Sequence, residues 1–316
     1  MIMKQKTAIA VDVGGTKIIA SVVRLGDGAI LERKVGATNT NSPALFYQGI
    51  TTLIEELEKS FNGEFPLAIG IGCAGYVNTK KGTVSSLNLG LQDFPLQETV
   101  AKATGLPVFM DNDANLGALG EMHYGVARGK NYFAFLSIGT GIGVGLVLDG
   151  KVYRGKRNFA GELGHVGVDI HGHQCKCGGI GCSESLASGP SMLKMFEKRL
   201  QQGQCNGAYP DELSTRAIFH AATVEQDPLA LEVINDVAEI IGYSIRNMNN
   251  MLDLELVVLG GGISLAAPQV FLDKVEESAN VGTYGALPQD CRIALSKIYP
   301  DSIILGAASL VAISYK

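Results

Sequence analysis

The sequence predicts an α/β protein of two similar lobes, and three observations carry that prediction. Two glycine-rich turns each join a pair of strand-like runs: residues 8–13, Gly14-Gly15-Thr16 and 17–23, which are β-branched, then residues 133–138, Gly139-Thr140-Gly141 and 142–148. Around these units apolar residues recur at helical spacing, so strands alternate with helices. A length of 316 residues suits two packed lobes better than one core.

Each strand–turn–strand unit reads as a hairpin. A third strand is expected at residues 29–34, then a helix over 43–61 with Leu45, Ile50, Leu53, Ile54 and Leu57 at helical spacing. Residues 67–72 return to strand, 95–104 to helix and 107–110 to a short buried strand. A helix from Asp113 to Tyr124 opens with acidic and polar capping residues. Residues 155–190 are rich in Gly, Cys and His with neither period, so they read as an irregular loop organised by metal. Asp227-Pro228 supplies an N-cap and a first-turn proline for a helix reaching Leu252, with Ile234, Val237, Ile241, Ile245, Met248 and Leu252 on one face. Residues 255–259 form a buried strand ending in Gly260-Gly261-Gly262. A last helix, 302–313, is apolar enough to dock back onto the first lobe. The expected division is residues 1–112 with 301–316 against residues 113–300, with a cleft between the lobes.

Bulk composition excludes several classes. Hydrophobic residues make up 46% and charged residues 18%, a globular balance. With 26 Lys+Arg against 31 Asp+Glu, and no basic run, a nucleic-acid surface is not expected. No apolar stretch approaches the roughly 20 residues that span a bilayer. The chain leads into its first strand without a signal-peptide cleavage pattern, so a cytoplasmic protein is expected. Three of the six cysteines crowd at Cys175, Cys177 and Cys182, which there favours metal over disulfides.

The Asp12-Val13-Gly14-Gly15-Thr16-Lys17 turn joins a carboxylate to bare backbone, a hydroxyl and a cation. Glycines let N–H groups approach phosphate oxygens, and Asp12 can hold a hydrated Mg²⁺. A plain hairpin turn would need only the glycines; the second turn, Ile138-Gly139-Thr140-Gly141-Ile142-Gly143-Val144-Gly145, favours a paired grip on a triphosphate. Gly70-Ile71-Gly72-Cys73-Ala74-Gly75 matches a dinucleotide fingerprint, but a turn and strand follow where a helix is required. Residues 150–156 match most of a P-loop, yet Arg157 stands where Ser or Thr would bind Mg²⁺.

His165 with Cys175, Cys177 and Cys182 makes a Cys₃His set suited to structural zinc; buried free thiols are the alternative, and His171 and His173 are rival ligands on spacing alone. Asn112-Asp113 sits where a strand ends and a helix begins, a place for a cleft-facing acid or for a simple N-cap. Glu162 and Glu184 flank the metal loop, where a solvated surface charge is the plainer reading.

Taken together these residues resemble the ROK family of sugar kinases and sugar-responsive repressors, nearly throughout the chain. The most specific part is Glu162-Leu163-Gly164-His165 followed by Cys175-x-Cys177-Gly178-x-x-Gly181-Cys182-x-Glu184, which looks like the family's zinc-and-sugar signature. The resemblance implies a two-lobed actin-like ATPase (ribonuclease-H-like) fold with the zinc-bearing loop in the second lobe, and makes His165 the fourth zinc ligand. It assigns Ala10, Val11, Asp12, Val13, Gly14, Gly15, Thr16 and Lys17, and the second turn from Gly139 to Leu148, to ATP phosphates, with Gly260, Gly261 and Gly262 on the adenosine side. It gives Gly75, Asn88, Asn112, Glu162, His165 and Glu184 to the sugar and makes Asp113 the catalytic base. The implied protein is an ATP- and Mg²⁺-dependent hexose kinase of carbohydrate metabolism, a homodimer or homotetramer without nucleic-acid or membrane partners.

Three positions depart from the family pattern. Ala74 stands where proline is frequent, Val144 where a third consecutive glycine is usual, and Leu91 where Asn88-Leu89-Gly90 would precede Trp in glucokinases. Asn88-Leu89-Gly90 still favours glucose over N-acetylglucosamine, N-acetylmannosamine, fructose or allose. A repressor of the same family is disfavoured because the first phosphate turn starts at Asp12, leaving no winged helix ahead of it. A catalytically idle sugar-binding protein is disfavoured by the retained Asp12 and Asp113.

Overall fold

The computed structural model describes residues 5–64, 66–202, 213–266, 268–280 and 291–315. In chain order the first elements are β1 (Thr7–Val13), β2 (Lys17–Arg24), β3 (Ile30–Ala37), α1 (Pro43–Ser60), β4 (Ile69–Cys73), β5 (Tyr76–Asn78), β6 (Thr83–Ser86), β7 (Leu91–Phe94), α2 (Leu96–Thr104), β8 (Val108–Asn112) and α3 (Asp113–His123). Then come β9 (Phe133–Ile138), β10 (Ile142–Leu148), β11 (Lys151–Val152), α4 (Ser183–Ala187), α5 (Gly189–Gln201), α6 (Thr215–Thr223), α7 (Pro228–Leu252), β12 (Leu256–Gly260), α8 (Gly261–Ala266), α9 (Pro268–Asn280), β13 (Arg292–Leu295) and α10 (Ser302–Ser314). No described helix is long and apolar enough to cross a membrane.

The chain packs as two compact units: Met1–Lys130 with Gly145–Ala160 and Ser296–Lys316, and Asn131–Val144 with Gly161–Leu295. The expected division at 112/113 cuts between β8 and α3, whereas α3 stays in the first unit, packed along α10.

The first unit is built on a sheet of order β3-β2-β1-β4-β8. The β1–β2–β3 pairings are antiparallel and β1–β4–β8 parallel. One face is buried by α1 and α2 through Phe46, Ile50, Ile54 and Val100, the other by α3 and α10 through Leu116, Leu119, Ile304 and Ala308. Sheets covered on both faces need strands with continuous apolar runs, as residues 8–11 of β1 and all of β4 supply. The α3–α10 crossing is very close: a Cβ at Gly306 would lie 1.8 Å from Leu116 O, and one at Gly120 2.1 Å from Ser302 O. Burying α10 alone removes several large side chains from water, each worth about 1.5–3 kcal/mol.

In the second unit β9, β12 and β13 run parallel in that order. β10 starts there, and its end, in the first unit, pairs with β11. α7 has the bounds its sequence signals: the Asp227 side chain accepts the Ala230 N–H at 2.8 Å, and Asp253 ends the helix with φ 50°. Helix structure also appears where an irregular loop was expected, since α4 begins at Ser183 and α5 at Gly189. Cys182 is buried, and that anchor lets a short helix form on a segment with little periodicity.

Candidate active site

Register brings the first unit's candidate residues to one end of its sheet. Asp12 on β1 lies beside Gly72 on β4, which lies beside Asp111 on β8. Asp12, Gly75, Asn112 and Asp113 therefore cluster at or just beyond the carboxyl ends of three parallel strands, where open α/β sheets bind ligands. The Gly14–Thr16 turn is pinned by Thr38, whose hydroxyl donates to Gly14 O at 2.7 Å and whose N–H donates to Thr16 O at 3.0 Å. Gly15, Thr16 and Lys17 are exposed. Ala10, Val11 and Val13, expected at the ATP phosphates, are fully buried and serve the core, so the exposed part of this segment is Gly15–Lys17.

Asn112 is the N-cap of α3: its Oδ1 accepts the Ala114 N–H at 2.9 Å and the Asn115 N–H at 3.3 Å, and its Nδ2 donates to Gly75 O at 3.1 Å. The second Nδ2 hydrogen has no acceptor among the described residues. The capping role open to Asp113 thus falls to Asn112, and Asp113 is the first helical residue. Burial raises the Asp12 carboxyl from 3.8 to about 7, with Asp113 adding to the rise and Lys17 opposing it. Two neighbouring carboxylates short of positive charge fit a Mg²⁺ ion. Asn88 is exposed on the loop between β6 and β7.

The Gly139–Gly141 loop of the second unit has Thr140 exposed at its tip. Residues after it are packed rather than open. A Cβ on Gly164 would lie 2.4 Å from Ile142 O, one on Gly161 2.3 Å from Val144 O, and one on Gly145 2.2 Å from Ala114 O. Val144 is buried, so its side chain does not narrow the loop, and Gly145 serves close packing on α3 within the first unit. A pocket of ≈ 760 Å³ has Gly139 and Thr140 on one wall and Gly262 and Ile263 on another, completed by Pro190 and Phe219. Both glycine segments assigned to the nucleotide thus line one cavity, apolar enough for a base. Its α5 and α6 walls were not read from the sequence.

His165, Cys175, Cys177 and Cys182 offer ligand atoms all within 4.8 Å of one another; His171 and His173 are not in the group. Cys177 Sγ and Cys182 Sγ are 3.6 Å apart, and Cys175 Sγ is 3.8 Å from His165 Nδ1. A tetrahedral ion with Zn–S of about 2.3 Å sets its sulfurs about 3.8 Å apart, so the residues fit zinc. Burial pushes the Cys182 thiol up to about 12, a cost that a divalent cation removes. Nearby, desolvation raises the Glu162 carboxyl above its ordinary value; His165 opposes the rise and Glu184 adds to it. Glu184 accepts the Ile142 N–H at 2.9 Å.

Sequence reasoning missed Asp111, Asn115 and Arg154. Asp111 is buried, donating nothing and accepting from all sides, and the only sequence signal was its place beside Asn112-Asp113.

A sequence profile of the ROK family matches residues 8–313. The chain belongs to the ROK family. Its architecture is the actin-like ATPase fold of ROK kinases. A ROK glucokinase from Streptomyces griseus, solved with glucose and AMPPNP, superposes with a TM-score of 0.84 at 29% identity, over 96% of this chain and 98% of that one. An N-acetylmannosamine kinase of Vibrio cholerae is 34% identical over 307 residues, 95% of this chain and 97% of the relative. The xylose repressor of Caldicellulosiruptor bescii is 34% identical over 250 residues, which are 78% of this chain and 62% of the repressor. The ROK chain thus spans about 62% of the length of that relative and nearly all of the kinases.

Proposed function

We propose that this ROK protein transfers the γ-phosphoryl group of Mg·ATP to a hexose hydroxyl, with glucose as the preferred sugar. The observation that carries this reading is the meeting of Asp12, Gly75, Asn112 and Asp113 at the carboxyl edge of β1, β4 and β8, in a chain alignable over 96% of its length with a glucokinase solved with glucose and AMPPNP. Asp113 takes the hydroxyl proton as the sugar oxygen attacks the γ-phosphorus; the bond to the β–γ bridging oxygen breaks and ADP leaves. Such a base contributes roughly 10²–10⁴-fold.

Asn88, Asn112, Glu162, His165 and Glu184 bind sugar hydroxyls, each left unpaired by a sugar lacking its partner, and this mismatch provides discrimination. Gly14–Lys17 and Gly139–Gly141 hold the phosphates, and the Gly139–Gly262 pocket takes the base. Asp12 would hold Mg²⁺, which neutralises charge on the phosphates. His165, Cys175, Cys177 and Cys182 would hold a zinc ion that fixes the sugar-binding loop.

The test is a coupled ADP-release assay with Mg·ATP against glucose, mannose, fructose, allose, N-acetylglucosamine and N-acetylmannosamine. The expected result is the highest kcat/KM with glucose. Preference for N-acetylmannosamine would keep the chemistry and overturn the sugar. Sugar binding without turnover by zinc-replete protein would favour a sensor, the role that the xylose repressor's name suggests.

A further inference from the structure

Glu184 makes a contact that binding a sugar would not require. Its Oε2 accepts the backbone N–H of Ile142 at 2.9 Å, and a Cβ added at Gly141 would lie 2.7 Å from the same oxygen. A half-buried carboxylate on α4 thus holds the residue that closes the Gly139–Gly141 loop, wholly within the second unit. Backbone bonds fasten the same pieces: the Gly189 N–H donates to Gly139 O at 2.8 Å, and the Ser188 N–H donates to Glu184 O at 3.1 Å. The α4–α5 corner therefore grips the loop at both ends, through backbone at Gly139 and through the Glu184 side chain at Ile142. Between these anchors the Thr140 and Gly141 N–H groups have no acceptor among the described residues. Successive N–H groups of this kind cradle phosphate oxygens.

We propose that Glu184 is a positioning residue for the nucleotide phosphates, and that sugar and nucleotide affinities are coupled through it. The proposal rests on the sugar-kinase reading above. With Oε2 committed to Ile142, Oε1 has no competing bond among the described residues and can accept a sugar hydroxyl. A charge-assisted bond to the loop is stronger than a neutral one. A sugar on Oε1 restrains the carboxylate, stiffens the loop and lowers the ordering cost that the nucleotide must meet. Linkage then requires the nucleotide to tighten sugar binding by the same factor.

The experiment measures Mg·AMPPNP affinity with and without glucose, and glucose affinity with and without Mg·AMPPNP, by titration calorimetry. It compares wild type with Glu184→Ala, Glu184→Gln and Glu162→Ala, with zinc content and melting temperature recorded for each. Glutamine retains a carbonyl oxygen that accepts the Ile142 N–H. Mg·AMPPNP affinity is expected to fall about 5-fold or more in Glu184→Ala and by clearly less in Glu184→Gln, which keeps the bond in neutral form, while glucose affinity falls in both. Glu162→Ala loses glucose affinity alone. As a second approach, Gly141→Ala displaces the carboxylate from the loop side and is expected to weaken glucose binding.

Unchanged Mg·AMPPNP affinity in Glu184→Ala overturns the positioning role, and so does an equal loss in Glu184→Gln. Equal glucose affinity with and without Mg·AMPPNP in wild type overturns the coupling, and so does a tightening that persists in Glu184→Ala. Wild type that fails to bind Mg·AMPPNP overturns the kinase reading and this proposal with it. Wild type that binds Mg·AMPPNP but not glucose overturns the sugar reading and the coupling, and Glu184→Ala still decides the positioning role.

Discussion

Arg154 closes a hydrogen-bond shell around the buried carboxylate of Asp111. Its Nε and Nη2 both reach Oδ2 at 2.7 Å, while Oδ1 accepts the Asn112 N–H at 2.8 Å and Asn115 Nδ2 at 3.0 Å. Asp111 is 1% exposed, so its charge is tolerated only because every lone-pair direction is served. Through Asn112 the shell also sets the start of α3, where Asp113 sits.

Removing that arginine should therefore cost both stability and rate. Arg154→Ala leaves an uncompensated buried charge and is expected to destabilise the fold by about 3 kcal/mol, the low end because the Arg154 side chain is 28% exposed. Arg154→Lys, which keeps the charge but reaches Asp111 with a single point, should fall between the two. Urea unfolding checks the energies. The paired measurement of kcat should show a fall that exceeds any rise in KM, because the displaced group is the start of α3.

Asp113→Asn should fold normally and bind sugar, since the amide oxygen still accepts the Ala114 N–H that Oδ1 now takes at 2.9 Å. It cannot take a proton, so kcat is expected to fall roughly 10²–10⁴-fold with little change in the sugar KM. A rate near wild type would remove Asp113 from the role of base.

Asp12 makes stability depend on pH in a definite sense. Its carboxyl titrates near 7 in the folded chain against an ordinary value of 3.8. Below about pH 4 both states hold the proton; as pH rises to about 7 the unfolded chain releases it first, so the folded state loses up to about 4 kcal/mol of relative stability. Above that the loss levels off. Asp12→Asn should abolish this fall and be more stable than wild type at pH 8 in the presence of a chelator, while losing activity. Denaturation curves at pH 5 and pH 8 for both proteins give the comparison, and identical pH dependence would contradict the burial of this acid.

Cys177→Ser should lower bound zinc and melting temperature together, because an ion on the Cys₃His set would organise residues between Leu163 and Cys182, which have few regular backbone bonds. A strong chelator should do the same to wild type. Metal analysis alongside thermal unfolding is the check; metal-free protein with undiminished stability would deny zinc a structural part. Glucose affinity should fall in step, since Glu162 and His165 stand on this loop.

Much of the fold was legible because local chemistry specified it. The strand-like apolar runs of β1, β2, β9 and β10 and the glycine turns between them appear where the pattern puts them, and α7 runs from its Asp227-Pro228 cap to Leu252. α5 and α6 were missed: their buried residues Met192, Phe196, Ile218 and Phe219 acquire meaning only against α7. Arg154 was read as the remnant of a failed phosphate motif, since nothing in residues 150–157 announces a partner at Asp111, on another strand.

The sequence by itself determined the two strand–turn–strand units, the Cys₃His set and the carboxylates available to a phosphoryl transfer, because each is written in residue types a few positions apart. Only the tertiary structure decided that Asn112 caps α3 and that the side chains of Ala10, Val11 and Val13 go to the core. It alone showed that Arg154 satisfies Asp111 and that Glu184 holds Ile142. Those outcomes depend on which groups lose water together and must find partners across long stretches of chain, and local spacing carries no record of that.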